Sequence, residues 1–282
     1  HMALFLASLS ALAFGGADFV GGLASRRAPA VSVVVTAHLA GLAVVLAVAP
    51  WWGQGGPGIP DFLWGAAAGA TGGGGLVILY HAMATTRFSV SAPAAALLGA
   101  ALPVVFGVAI GERPATLAWI GVAMALPAIL LIGMAGDGDE DAPGTVRRAV
   151  VLGSLAGVLF GLFGILISRT GDASGIWPLV GARMASLPVI GAGALVRGHQ
   201  LLVSGPVLGV ALTVGAADMV ANILLLAALH EPGLVSLVLL VSSLYPAGTV
   251  VLARMVLDER LNRIQLGGLA LAGIGLCLIA VG

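Results

Sequence analysis

One short pattern occurs twice in this chain, half a chain apart. In each copy an apolar stretch ends in a Glu-Arg dipeptide, and a last apolar stretch rich in small residues follows. The first copy reads VVFGVAIGER from Val104 to Arg113 and continues PATLAWIGVAMALPAILLIG. The second reads VLARMVLDER from Val251 to Arg260 and continues LNRIQLGGLALAGIGLCLIAVG. Setting Glu112-Arg113 on Glu259-Arg260 gives an offset of 147 residues and also places Ser89 on Ser236. A repeat of about half the chain, in a sequence this apolar, predicts two related helical bundles in a membrane, an organisation typical of transporters.

Composition supports the membrane assignment. Hydrophobic residues make up 60% of the chain and charged residues 9%, where a soluble domain carries about 25% charged residues. Glycine, 43 residues here, suits membrane helices because it lets backbones approach closely. All 12 basic residues are arginine and the net charge is zero, which gives nucleic acid no basic surface to bind. The single cysteine, Cys277, excludes an intramolecular disulfide and a thiolate metal cluster, so neither a metal nor another cofactor is expected. His1-Met2 has the form of a tag-cleavage remnant and is set aside, and the first apolar segment reads as a spanning helix rather than a cleaved signal.

A spanning helix needs about 20 apolar residues. Ten such segments are predicted, over 3–24, 31–49, 62–84, 89–111, 115–134, 149–169, 177–196, 205–229, 233–256 and 262–281. Their connections are short, and Glu112-Arg113-Pro114 and His230-Glu231-Pro232 each end in a proline suited to a helix N-terminus. The longest polar stretch runs from Gly136 to Arg148. The reading is therefore an all-α integral membrane protein of ten transmembrane helices. A first five-helix repeat (3–134) is joined by a linker (135–148) to a second (149–282). An odd number of helices per repeat makes the second enter the membrane inverted, the arrangement that gives many carriers two states around a central site. Arg26, Arg27, Arg87, Arg147, Arg148, Arg197, Arg260 and Arg263 fall on one side of this topology, and Arg113 and Arg169 on the other. The positive-inside rule then puts the first group in the cytoplasm and both termini outside.

The two five-helix copies, each with an acidic-Arg turn before a Gly-rich last helix, resemble EamA-type repeats of the drug/metabolite transporter superfamily. The tract Ala13-Phe14-Gly15-Gly16-Ala17-Asp18-Phe19 in the first helix is similar to that family's first-helix region, as is Phe160-Gly161-Leu162-Phe163-Gly164 in the sixth. The resemblance covers essentially the whole chain. It implies ten helices, a central cavity between the bundles, a place in the cell's inner (plasma) membrane, and transport of small metabolites, often export of amino acids. Many relatives carry a basic residue in both the second and the seventh helix; here those helices hold His38 and Arg183. The family also often has both termini in the cytoplasm, opposite to the arginine distribution here.

A charge in hydrocarbon costs at least about 2.5 kcal/mol on insertion scales, so each ionisable group within a span is a functional candidate. The set is Asp18, His38, His81, Arg183 and Asp218, with Asn222 beside them. Asp218 and Asn222, four apart, share one face of the eighth helix. The matching part of the third helix is the run Gly72 to Gly75, where a bend, a ligand or another backbone is expected. These two walls are read as facing each other across a cavity, or alternatively as polar and small packing contacts. Asp18 is read as a proton-coupling or amine-binding carboxylate, or as the partner of Arg183 or His38. Asp218 is the second proton-coupling candidate. Tyr80, His81 and Tyr245 are read as cavity-bordering groups, with interfacial anchoring the plainer role for Tyr80.

The ninth helix carries Ser242-Ser243-Leu244-Tyr245-Pro246 at its centre, and the fourth carries Pro93 and Pro103. Paired proline-interrupted helices in both halves point to hinges or gates. Gly72, Gly75, Pro93, Pro103 and Pro246 are the hinge candidates. Arg183 can hold a substrate carboxylate in bidentate fashion or pair with Asp18 or Asp218. The substrate-binding set is thus Tyr80, His81, Arg183, Asp218, Asn222, Ser242 and Tyr245. The fifth and tenth helices, with small-residue faces at Gly121 and Ala125 and at Gly268, Ala272, Gly273 and Gly275, are read as scaffold within a monomer or between the protomers of a homodimer.

These features predict a secondary transporter, not an enzyme. It moves small amphipathic metabolites, amino acids first among them, by alternating access around an apolar cavity in the bilayer. A sugar site would want several Asn, Gln and Trp residues. An intramembrane enzyme would need a nucleophile with its base or a metal cluster, and neither pattern occurs. A passive channel would need a polar stripe or a ring of like charge. A lipid or quinone flippase on the same fold would need a lateral opening with arginine at its mouth.

Overall fold

The computed structural model describes residues 2–52, 58–109, 111, 116–134, 144–231, 235–243, 245–257 and 263–281. Both Glu-Arg turns, linker residues 135–143 and Pro232 lie outside them. Among the described residues there is no strand. The helices are α1 (Met2–Ala24), α2 (Ala30–Trp52), α3 (Ile59–Thr85), α4 (Phe88–Ala109), α5 (Thr116–Met134), α6 (Thr145–Ile167), α7 (Trp177–Val196), α8 (Pro206–His230), α9 (Val235–Ser242), α10 (Tyr245–Leu257) and α11 (Arg263–Val281). Seven of them, α1 to α4 and α6 to α8, are long and apolar enough to cross a membrane. This suits a chain in hydrocarbon, where the backbone must satisfy its own polar groups.

The helix bounds follow local signals. Prolines stand in the first turns of α3, α7 and α8, where a missing N–H costs nothing. Gly144 and Gly205 precede α6 and α8 with φ of 83° and 64°, left-handed values that a residue with a Cβ adopts at a cost. α6 starts four residues before the predicted 149, taking in Arg147 and Arg148. The predicted ninth segment is two helices: α9 stops at Ser242 and α10 starts at Tyr245, with Pro246 its second residue. The Ser243 hydroxyl donates to the Leu239 carbonyl at 2.7 Å, serving a carbonyl at the helix end. The fourth segment behaves otherwise, for α4 runs unbroken through Pro93 and Pro103.

Small residues set the helix crossings. Gly65, Gly69 and Gly73 recur one turn apart on α3 and face Pro178, Ala182 and Ser186 of α7. A Cβ on Gly65 or Gly69 would fall on the carbonyl oxygen of Pro178 or Ala182. Gly153 and Gly157 of α6 press in the same way on the Ser91 and Ala95 backbones of α4, and Gly215 of α8 on Ala37 of α2. Backbones this close gain dispersion contacts that larger residues would prevent, the main attraction between helices in lipid. Further pairings join α5 with α11, α1 with α8, α3 with α6, α2 with α7, and α1 with α9 and α10.

The glycine seam makes a direct prediction. Gly69→Ala forces α3 off α7 and should cost about 1–3 kcal/mol, as overpacking does. Gly193, on the exposed face of α7 with nothing near its would-be Cβ, should tolerate alanine or gain up to about 1 kcal/mol from helix propensity. Thermal unfolding of the detergent-purified variants checks this: a lower midpoint for the first and an unchanged or higher one for the second.

Candidate functional site

A cavity opens where α1, α2, α3, α4, α6, α7, α8, α9 and α10 meet. Its wall is mostly apolar. Phe14 of α1 and Phe160 and Phe163 of α6 contribute rings, and Leu76, Leu225 and Leu239 contribute aliphatic surface. Gly69, Gly72 and Gly73 of α3 line the wall as well, and α3 continues as a regular helix through the glycine run. Gly73 approaches His38 so closely that a Cβ there would stand 3.2 Å from the imidazole. Pro103 and Gly99 share the lining; Pro103 has no N–H, so the Gly99 carbonyl one turn earlier loses its helical donor beside the cavity.

The polar groups are few and organised. Arg183 of α7 makes an ion pair with Asp218 of α8, both side chains 8% exposed. A second guanidinium nitrogen donates to His38 Nε2 at 3.0 Å. That nitrogen accepts, so the proton of this imidazole sits on Nδ1, which donates to Ser186 Oγ at 2.8 Å. Ser186 in turn donates to the Arg183 carbonyl at 3.3 Å, closing a ring of hydrogen bonds across α2 and α7. Asn222 donates from Nδ2 to Asp218 Oδ2 at 3.3 Å and to the Asp218 carbonyl at 2.8 Å. Of the pairings open to Arg183 in the sequence, the structure has the one with Asp218. The basic positions of the second and seventh helices, His38 and Arg183, are in direct contact.

Asp18 stands apart from that network. It is 4% exposed and faces the cavity from α1. Tyr80 is fully buried. Its ring occupies the space left by Gly21, and its hydroxyl donates to the Ala17 carbonyl at 3.4 Å. Met83 and Phe88 fill the space beside Gly22, and Arg26 lies over the Phe88 ring, 4.9 Å from its centroid. These contacts seal α1 to α3 and α4 at the arginine-bearing end of α1.

Three buried polar atoms at the cavity have no hydrogen-bond partner among the described residues: Ser242 Oγ, Tyr245 Oη and Arg183 Nε. Nε lies 3.1 Å from the place a Cβ on Gly41 would take, so it is turned toward α2. Ser242 and Tyr245 flank the break between α9 and α10, and their free hydroxyls are the kind of buried polar group a ligand satisfies.

The structure thus brings Asp18, Gly72, Pro103, Arg183, Asp218, Asn222, Ser242 and Tyr245 to one cavity. Tyr80 stands directly behind Asp18. His81 is exposed near the end of α3, where Arg148 donates to its Nε2 at 3.3 Å. Gly75 packs on Phe160 and Leu159 of α6, and Pro93 lies outside the lining. The sequence reading did not single out Phe14, Phe160 and Phe163 as cavity walls, although all three sit in the first- and sixth-helix tracts that carried the family resemblance. Ser186, too, gave no signal, because a lone serine in an apolar helix looks like any small packing residue.

Residues 147–281 match the EamA-like transporter family. No protein with a curated functional description matches the sequence. Among solved structures 23 chains match. One of them, described only as "Crystal structure of protein", aligns with a TM-score of 0.69 at 15% identity over 99% of this chain and 96% of its own, a likeness of fold.

The ion pair yields a test. Arg183→Leu leaves the Asp218 carboxylate buried without its cation, which should cost about 3–5 kcal/mol. The double variant Arg183→Leu/Asp218→Leu removes both charges and should lose less than the single one. Unfolding midpoints of the two purified variants measure this directly, and a double variant less stable than the single would contradict it.

Proposed function

Because residues 147–281 match the EamA-like transporter family, we propose that the whole chain is a secondary transporter of small amphipathic metabolites, working by alternating access. The observation that carries this is a largely apolar cavity walled by helices of both halves, with two hydroxyls at it that have no partner among the described residues. The topology proposed is ten spans, with α9 and α10 together forming the ninth, in two inverted repeats, 3–134 and 149–282, joined by 135–148. Its support is the packing pattern, which survives exchange of the halves. The pair α3–α7 becomes α8–α2. The pair α4–α6 becomes α9/α10–α1, and α1–α8 becomes α6–α3. The pairs α5–α11 and α2–α7 map onto themselves. A fold built this way has two near-equivalent arrangements, one open to each side.

In this account the substrate rests on the cavity faces of Asp218, Asn222, Ser242 and Tyr245, with Arg183 fixing Asp218. The α9–α10 break and the proline-weakened α4 are the parts that move, together with the glycine run of α3. Asp18 and Asp218 are the groups for proton coupling. Asp18 shares the cavity lining with Asp218 and Tyr245, and Asp218 is bonded by Arg183 and Asn222. Amino acids, moved outward, are the proposed cargo class on the family resemblance. The proposed setting is the cell's inner membrane, as a monomer or homodimer, with the arginine-rich side in the cytoplasm.

Purified protein in proteoliposomes tests this with a panel of radiolabelled amino acids, with and without an imposed pH gradient. Saturable, gradient-stimulated uptake is expected. Asp218→Asn should abolish it, and Asp18→Asn should leave a residual flux that no longer responds to pH. Unchanged pH dependence in both variants would contradict proton coupling. Uptake of no amino acid, together with accelerated movement of labelled lipid between leaflets, would replace the metabolite reading with a flippase.

A further inference from the structure

The arginine-bearing end of the bundle holds a cluster of basic groups outside the cavity. Arg148, in the first turn of α6, donates to Nε2 of His81 on α3 at 3.3 Å, and both residues are exposed. That nitrogen accepts, so the imidazole proton sits on Nδ1 as a further donor. The α3–α7 seam sets Gly65 on Pro178, Gly69 on Ala182 and Gly73 on Ser186. The same register, continued, brings His81 level with Ala194, less than one turn before the exposed Arg197. Two guanidiniums and one imidazole, from helices of both halves, thus stand together at one membrane edge. The acidic residues among the described ones lie elsewhere. Asp18 and Asp218 are in the cavity, and Asp61, Asp172 and Glu231 are at the opposite end of the bundle.

From this cluster a groove runs into the apolar zone with α3 as its floor. α7 flanks α3 in parallel, and α6 flanks it antiparallel, with Gly72 on Phe163 and Gly75 on Leu159. The outward positions Ala67, Ala70, Gly74 and Ile78 of α3 recur at helical spacing toward His81, and none of them is buried. Leu155 of α6, one turn from Leu159, and Val189 and Val196 of α7 are exposed along the two rims. At the far end the α6–α7 connection meets the start of α3, where the Gly171 N–H donates to Asp61 Oδ1 at 2.9 Å. The groove is closed there by polypeptide, apolar along its length and basic at its mouth.

We propose that this groove holds one anionic phospholipid, its phosphate among Arg148, His81 and Arg197 and an acyl chain along α3. The proposal goes beyond the transport reading and needs only a bilayer around the chain. Planar guanidiniums match phosphate, because each can bind two of its oxygens at once. An arginine at the membrane surface favours an anionic headgroup by about fivefold. A zwitterionic headgroup brings its own ammonium into the cluster, where it meets like charges, so phosphatidylglycerol is favoured over phosphatidylcholine. Free phosphate satisfies the basic groups and leaves the apolar groove uncovered. The chain-lined floor is what makes the occupant a lipid.

Native mass spectrometry of the purified full-length protein, given equal amounts of dioleoyl phosphatidylglycerol and dioleoyl phosphatidylcholine, counts and identifies the retained lipid. One phosphatidylglycerol per chain is expected, kept at least about tenfold over phosphatidylcholine, from two arginines acting together. Arg148→Gln/Arg197→Gln should abolish that preference. Arg147→Gln removes a charge at the same edge from another flank of α6, and should leave it intact. Gly74→Leu should weaken retention several-fold with both arginines present, since an added Cβ there meets only Leu159, at 3.6 Å, and the larger side chain fills the floor. The unaltered protein supplies a second reading: phosphatidylglycerol should raise its unfolding midpoint in detergent, and phosphatidylcholine should not. Equal retention of the two lipids, a midpoint raised equally by both, or a preference that survives the double arginine variant would each overturn the proposal. A loss in Arg147→Gln as large as in Arg148→Gln would reduce the site to diffuse surface charge and overturn it as well. Displacement of the lipid by millimolar inorganic phosphate would make this a soluble-anion site and contradict the lipid assignment.

Discussion

A guanidinium and a carboxylate inside a lipid-embedded bundle have almost no freedom in where they sit. Desolvation penalises each one heavily, so each must find the other and fill its remaining hydrogen-bond capacity. Arg183 and Asp218 do this across α7 and α8, and His38 draws α2 into the same network through its two ring nitrogens. The pair fixes how three helices meet at the cavity. Asp18, on a fourth helix, lines the same cavity outside that network.

The glycine seams make such a network possible. α7 crosses α3 and α2 crosses α8 at backbone distance, at Gly69 against Ala182 and Gly215 against Ala37, and α2 and α7, which carry His38 and Arg183, pack on each other. Hydrophobic driving force between helices is absent in lipid, so these crossings rely on close contact and on polar bonds that span the interface. The short distance that gives the packing its dispersion energy also brings the charges within reach of each other. The cavity lies where the pattern relaxes, beside phenylalanines and the broken ninth segment.

Much of the helical layout was legible in the sequence because its signals are local: long apolar runs, short turns, and prolines at helix starts. The ionisable candidates were legible for the same reason, since a charge in an apolar segment stands out, and Asp18, Arg183 and Asp218 all reach the cavity. Partner choice was not legible. Nothing in the spacing tells Arg183 to take Asp218 over Asp18, because the choice depends on how α1, α7 and α8 are placed in three dimensions. His81 was placed in the same span, and α3 carries it near its end, where Arg148 donates to it. Proline was also ambiguous. It attends a break at Ser242–Tyr245, where the Ser243 hydroxyl and N–H both donate to the Leu239 carbonyl, but bends no gap into α4, which stays helical through Pro93 and Pro103.

The central claim is that one cavity, shared by both halves, is exposed alternately to the two sides of the membrane. Side-specific labelling of a single cavity cysteine tests it most directly. The native Cys277, which is exposed, is replaced by alanine, Ser242→Cys is introduced, and a membrane-impermeant maleimide is applied to oriented vesicles from one face or the other. Labelling from each face in separate experiments, slowed by bound substrate, is the predicted result. Labelling from one face only, under every substrate and pH condition, would contradict alternating access and leave a one-sided binding pocket in its place.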